Sequence, residues 1–138
     1  ANGFPMGACA AKADIAKDFG PGDHGSTFGG SNLAIAAAHA TLTQLQSPEL
    51  AQHVIEVGTY LRQQIAQIPA TKDVRGLGLM IGCDLDDRFD AFDVVDKARE
   101  HGFILNATGA HTLRFVPPLV CSKGNVDDLA DALKEILS

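Results

Sequence analysis

The sequence predicts an α/β chain in two parts, and three observations carry that prediction. Helix-period and strand-like apolar patterns alternate along the chain. A Gly-rich stretch opens directly onto an Ala-rich helical run in the first third. From Asp73 onward the patterns follow the order strand, helix, strand, strand, helix, which suits a small sheet with helices on one face. The division falls near residue 47, so residues 1–47 form one part and residues 48–138 a linking helix with a self-contained α+β remainder.

Each element has a local reason. "MGACAAKADIAKDFG" begins small and apolar and turns amphipathic through Ala13, Ile15, Ala16 and Phe19, which predicts a short strand followed by a short helix. "GPGDHGSTFGGSN", Gly20 to Asn32, has no periodicity, and a loop of this length is expected to be functional. Ser31 or Asn32 suits the N-cap of a helix over Leu33–Gln46, whose density of Ala predicts burial on more than one side. Ser47-Pro48 breaks that helix, and Pro48 fits the first turn of the next, "PELAQHVIEVGTYLRQQIAQI". There Leu50, Val54, Val57, Leu61 and Ile65 recur at spacings of three and four, opposite Glu56, Arg62, Gln63 and Gln67, as on a surface helix.

"DVRGLGLMIGCDLD" reads as one buried strand interrupted by three glycines, with its backbone closely approached by neighbours. A helix, "AFDVVDKAREHG", follows and ends at Gly102. "FILNAT" and "HTLRFVPPLV" read as strands, the second stopped by Pro117-Pro118, and "SKGNVDDLADALKEILS" as a closing helix.

Composition narrows the function. Seventeen acidic against eleven basic residues give a charge of −6, and the Lys and Arg are scattered, so nucleic-acid binding is not expected. Cys9, Cys83 and Cys121 are odd in number, far apart and set among apolar neighbours, which predicts buried, reduced thiols in a cytoplasmic protein. No apolar run reaches the ~18–20 residues of a membrane span, and the start carries no signal-like segment. A chain opening on "ANGFP", inside a turn-like segment, is expected to be cut from something longer.

The Gly-rich loop is the first candidate site. Exposed backbone N–H groups at a helix start, with Ser and Thr hydroxyls beside them, suit phosphate or carboxylate, although a tight linker would read the same way. The loop matches neither G-x-x-x-x-G-K-[ST] nor a dinucleotide fingerprint. Arg114, flanked by apolar residues in "TLRFVPPL", must reach the sheet face toward water or be paired. Its partner is either a structural carboxylate or a ligand's. Arg75 in "VRGLG" raises the same question, with plain solvation as the alternative. The five histidines form no metal-binding spacing, no C-x-x-C is present, and His24 in the loop suits local hydrogen bonding. Asp86-Asp87 and Asp127-Asp128 read as solvated charges, and no G-x-S-x-G occurs.

Taken together, "NGFPMGACAA", "GDHGSTFGGSNLAIAAA", "VRGLGLMIG", "GFILNATG" and "LRFVPPL" resemble, in order and spacing, the carboxy-terminal portion of class III aminotransferases. The resemblance implies a fold type I, pyridoxal 5'-phosphate (PLP)-dependent transferase. Residues 1–47 would be the tail of its large domain and residues 48–138 the linking helix and small domain. It implies a homodimer in which Thr27 donates to the phosphate of the cofactor held by the partner subunit, while Ser26 lies near the substrate. Arg114 would grip the substrate α-carboxylate. The Schiff-base lysine is expected upstream of Ala1, and none of the six lysines present takes its place, so no catalytic residue is expected in this stretch and the cofactor is not expected to bind it stably.

Overall fold

The computed structural model describes residues 1–138, which divide into two compact units, Ala1–Ser47 and Pro48–Ser138.

The first unit holds a four-residue helix, α1 (Ala13–Ala16), and one longer helix, α2 (Asn32–Leu45). The strand expected ahead of α1 is absent, and the segment is irregular. Apolar alternation becomes a strand only where a neighbour completes its ladder, and no partner strand pairs with it here. Helix α2 forms where Ala, Leu and Gln favour it, and the Ser31 hydroxyl caps it by accepting from the Ala34 N–H at 3.4 Å. Within this chain Ala34 alone is buried, while Leu33, Ile35, Leu42 and Leu45 are exposed. A surface of small side chains permits close packing but does not supply the neighbour.

The second unit is a four-stranded antiparallel sheet with three helices on one face. Pro48 opens α3 (Pro48–Ala66), and the chain then forms β1 (Thr71–Leu77), β2 (Met80–Leu85), α4 (Ala91–Glu100), β3 (Asn106–Gly109), β4 (Thr112–Phe115) and α5 (Lys123–Ile136). The strands lie in the order β1-β2-β4-β3. The single strand expected over "DVRGLGLMIGCDLD" is therefore a hairpin. Gly78 at φ +55° lets the chain reverse in two residues, so that Leu77 faces Met80. A bulge between Lys72 and Val74 bends β1. β3 begins three residues later than "FILNAT" suggests, and β4 stops before Pro117-Pro118 as expected.

Alternation decides which side of the sheet is wet. Ile81, Cys83 and Leu85 of β2 and Leu113 and Phe115 of β4 point into the core, where they meet Val57, Leu61 and Ile65 of α3, Val94 and Ala98 of α4, and Val126 and Leu133 of α5. Each large aliphatic side chain buried there contributes about 1.5–3 kcal/mol over leaving it exposed. Polar ties lock the helices: the Tyr60 hydroxyl donates to Asp127 at 2.5 Å, and a His53 ring nitrogen lies 2.9 Å from the Cys121 carbonyl. Asp90 caps α4, and Ser122 with Asn125 forms a reciprocal capping box on α5. Of the thiols expected to be buried, Cys83 is, Cys121 is half-buried, and Cys9 is exposed because its segment has no core to enter. No helix is long and apolar enough to cross a membrane.

Candidate functional site

The second unit leaves one face of its sheet without helices, and the polar side chains gather there. Cross-strand register sets Arg75 opposite Gly82, Gly82 opposite Arg114, and Arg114 opposite Asn106, so one row across four strands carries two guanidinium groups with a glycine between them. The Arg75 side chain lies over Gly82: a Cβ built there would sit 3.8 Å from Arg75 Cγ. From this position Arg75 reaches Asp84 with both arms, Nη1 to Oδ2 at 2.8 Å and Nη2 to Oδ1 at 3.0 Å. Nη1 also donates to the Asp73 carboxylate and carbonyl. The Thr112 hydroxyl donates to Asp84 Oδ1 at 2.7 Å. The Arg75 fork, and after it the Thr112 hydroxyl, hold the Asp84 carboxyl below the usual carboxylate range, while Asp84 raises Arg75.

Arg114 is in a different condition. It is exposed on this face, and its guanidinium forms no ion pair or hydrogen bond with any group of the chain. The structural carboxylate that the sequence left open as its partner is absent, whereas Arg75, for which solvation was an alternative, has two. Arg75, Met80, Thr108, Thr112 and Arg114 line an open concavity of about 590 Å³ over this face. A guanidinium presented there without a counter-ion can bind a carboxylate through two parallel N–H···O bonds. A separate groove of about 430 Å³, lined by Phe103, Val116, Pro118 and Val126 among others, holds no charged side chain that could fix an anion.

In the first unit, the loop before α2 has its own geometry. The Gly29 N–H donates to the Ser26 carbonyl at 3.3 Å, closing a turn with Thr27 and Phe28 at its corner, and the Ser31 N–H donates to the Phe28 carbonyl. Gly29 packs against Ser26 so closely that a Cβ on it would lie 3.0 Å from Ser26 Cβ. The Thr27 hydroxyl and the N–H groups of Thr27 and Phe28 donate to no group of the chain. Three free donors on one turn, just ahead of the start of a fourteen-residue helix, match what a phosphate ester needs at its rim. Ser26 is exposed beside them, and so is His24.

Sequence reasoning singled out Ser26, Thr27 and Arg114. It missed Asp84 and Thr112, whose place on the open face follows only once the hairpin is recognised and the strands are set in register.

Residues 1–137 match the family model "Aminotransferase class-III", and the chain belongs to that family of PLP-dependent enzymes. It is 42% identical over 140 residues to the acetylornithine aminotransferase of Methanothermobacter thermautotrophicus, an alignment covering 99% of this chain and 35% of that protein. It is 38% identical over 137 residues to the ornithine aminotransferase of Staphylococcus carnosus, covering 98% and 34%. Among solved structures it superposes on the acetylornithine aminotransferase of Elizabethkingia anophelis with a TM-score of 0.81 at 28% identity, covering 92% of this chain and 35% of that one. On the Toxoplasma gondii ornithine aminotransferase, a structure with partial occupancy of PLP at the active site, the TM-score is 0.78 at 34% identity, covering 91% and 31%. The chain thus spans about a third of the length of the curated relatives it matches.

Proposed function

We propose that this chain serves an acetylornithine aminotransferase, a homodimeric PLP enzyme that passes the amino group of N-acetylornithine to 2-oxoglutarate as a step of arginine biosynthesis. The observation that carries the reading is Arg114, an unpaired guanidinium on an open sheet face beside one already committed to carboxylates. 2-Oxoglutarate and the glutamate formed from it carry a carboxylate next to the carbon that reacts, so such a group serves that half-reaction, whereas N-acetylornithine reacts at its terminal δ-amine, three carbons away from Cα. The relatives' names support the amine donor: acetylornithine aminotransferases at 40–43% identity, with an ornithine aminotransferase at 38%.

The chain's own residues have three roles in this reading. Arg114 binds and orients the α-carboxylate of 2-oxoglutarate and glutamate, fixing their reacting Cα. Thr27 and the adjacent turn amides hold the cofactor phosphate of the partner subunit, and Ser26 lines the substrate's path. When bound, PLP would supply the electron sink that makes the proton on the amine-bearing carbon acidic, Cδ in N-acetylornithine and Cα in glutamate. Residues 1–47 belong to the large domain and residues 48–138 form the linking helix and small domain. The 138 residues by themselves are inactive and do not retain the cofactor, since none of their lysines can hold it covalently.

Steady-state assays of the whole enzyme with N-acetylornithine, ornithine, succinylornithine and 4-aminobutyrate test the donor. The highest kcat/KM is expected for N-acetylornithine, and a preference for ornithine would move the assignment to the sister enzyme that the 38% relative represents. Arg114→Lys is expected to raise KM for 2-oxoglutarate by roughly tenfold to a hundredfold and to lower kcat, because an ammonium cannot make the paired contact. Unchanged constants would remove Arg114 from the site. Thr27→Ala is expected to lose cofactor on dialysis, and Thr27→Ser to keep it.

A further inference from the structure

Arg114 is free although a carboxylate stands within its reach. Asp84 lies two residues along β2 from Gly82, the residue opposite Arg114, and is therefore a diagonal cross-strand neighbour on the same face. Diagonal neighbours are separated by about 7–8 Å, a span that an arginine covers easily. Asp84 nevertheless turns both oxygens to Arg75, and its Oδ1 takes a third hydrogen bond from Thr112. Charge balance does not explain this choice, because Arg75 with Asp73 and Asp84 keeps one net negative charge that would still attract Arg114. Geometry does: the Arg75 fork, laid flat over Gly82, occupies both oxygens in the bidentate arrangement that a competing guanidinium would need.

We propose that Arg75 is a positioning residue that holds Asp84 in a closed bidentate pair, so that Asp84 does not capture Arg114 and Arg114 stays open to the α-carboxylate of 2-oxoglutarate and glutamate. The inference rests on the assignment of Arg114 to substrate carboxylate, and it deepens that assignment by naming what keeps the group available. Thr112 assists by donating a further hydrogen bond to Asp84 Oδ1.

Two measurements test it. In the whole enzyme, Arg75→Gln is expected to raise KM for 2-oxoglutarate about tenfold with kcat changed less than about twofold, because the freed Asp84 captures Arg114 in competition with substrate. The double variant Arg75→Gln/Asp84→Asn removes the competitor and is expected to recover most of that loss. A residue that mattered only for folding would give a double variant as impaired as the single one, or worse, and that result overturns the proposal. An Arg75→Gln enzyme with wild-type KM overturns it as well. In the 138-residue chain, the Arg114 side-chain Nε–H resonance reports the same event without cofactor or turnover. It is expected to shift in Arg75→Gln and to return in the double variant, while the backbone spectrum reports whether each variant is folded. An Arg114 resonance that ignores the loss of Arg75 counts against the inference. Arg114→Lys separates the two levels: if its KM is normal, the carboxylate reading fails whatever Arg75 does.

Discussion

Gly58, in the middle of α3, lies so close to Gly78 in the β1–β2 turn that a Cβ on Gly58 would come within 2.1 Å of the Gly78 carbonyl oxygen. The helix and the hairpin therefore meet backbone to backbone, and the turn that sets the register of Arg75 against Gly82 rests on this contact.

Gly58→Ala sets two effects against each other. Alanine gains about 1 kcal/mol of helix propensity. The added methyl must displace main chain that has no flexible end to yield, and overpacking of this kind costs about 1–3 kcal/mol or more. Net destabilisation is expected, read as a lower urea midpoint. Gly124→Ala in α5 is the control: its Cβ would meet only Ser122 Oγ, at 3.7 Å, and stability should be kept or rise by up to ~1 kcal/mol. A Gly58→Ala chain as stable as the parent would mean that the helix and turn separate freely.

Cys83 and Cys9 should react very differently. Burial first, and then the nearby Asp84 charge, push the Cys83 thiol up to about 12, whereas Cys9 is exposed. Iodoacetamide at mildly alkaline pH is expected to label Cys9 in the folded chain and Cys83 only in denaturant. The linkage has a definite sign. The unfolded thiol ionises near 9 and the folded one near 12, so the unfolded state gives up its proton first and stability falls as pH rises through that interval. Cys83→Ala, though less stable near neutral pH because of its cavity, should lose that part of the slope.

Asp84 governs the opposite end of the scale. Its carboxyl is held below the ordinary 3.8 by Arg75 and then Thr112, so its contribution is present above that value and is lost as pH falls through the folded pKa. Its side chain is 35% exposed, which screens the effect to a modest size. Acid titration of unfolding should show a shallower decline below pH 3.8 in Arg75→Gln/Asp84→Asn than in the parent. Identical acid limbs would show that the pair carries no linked stability.

The sequence made α3, α4 and α5 legible because their apolar spacing and their punctuation agree: Pro48 opens the first, Asp90 and Ser122 cap the others, and the spacing in α3 picks out Val57, Leu61 and Ile65. The hairpin was hidden because Gly78-Leu79 carries no Asn-Gly or Asp-Gly signal, and the neighbouring glycines made reversal and interruption look alike. For α2, composition described a surface fit for close packing, which is a property of the helix and not of its surroundings. At the candidate site, residue type alone nominated Arg114. That it is free, and that Arg75 and Asp84 are engaged with each other, depends on which residues face one another across β1, β2 and β4, and no local pattern encodes that pairing.

The kink at Lys72–Val74 also bears on how this sheet behaves among its own kind. β1 is an outermost strand, and an outermost strand offers unsatisfied main-chain groups to any stray extended segment. Here the offer is spoiled. Asp73, at φ +31°, breaks the regular spacing that an incoming strand would have to follow, and the flanking Lys72 and Arg75 place charge where an apolar intruder would lie. The opposite border, β3, is only four residues long and irregular at Thr108. Both margins therefore discourage sheet-to-sheet fusion.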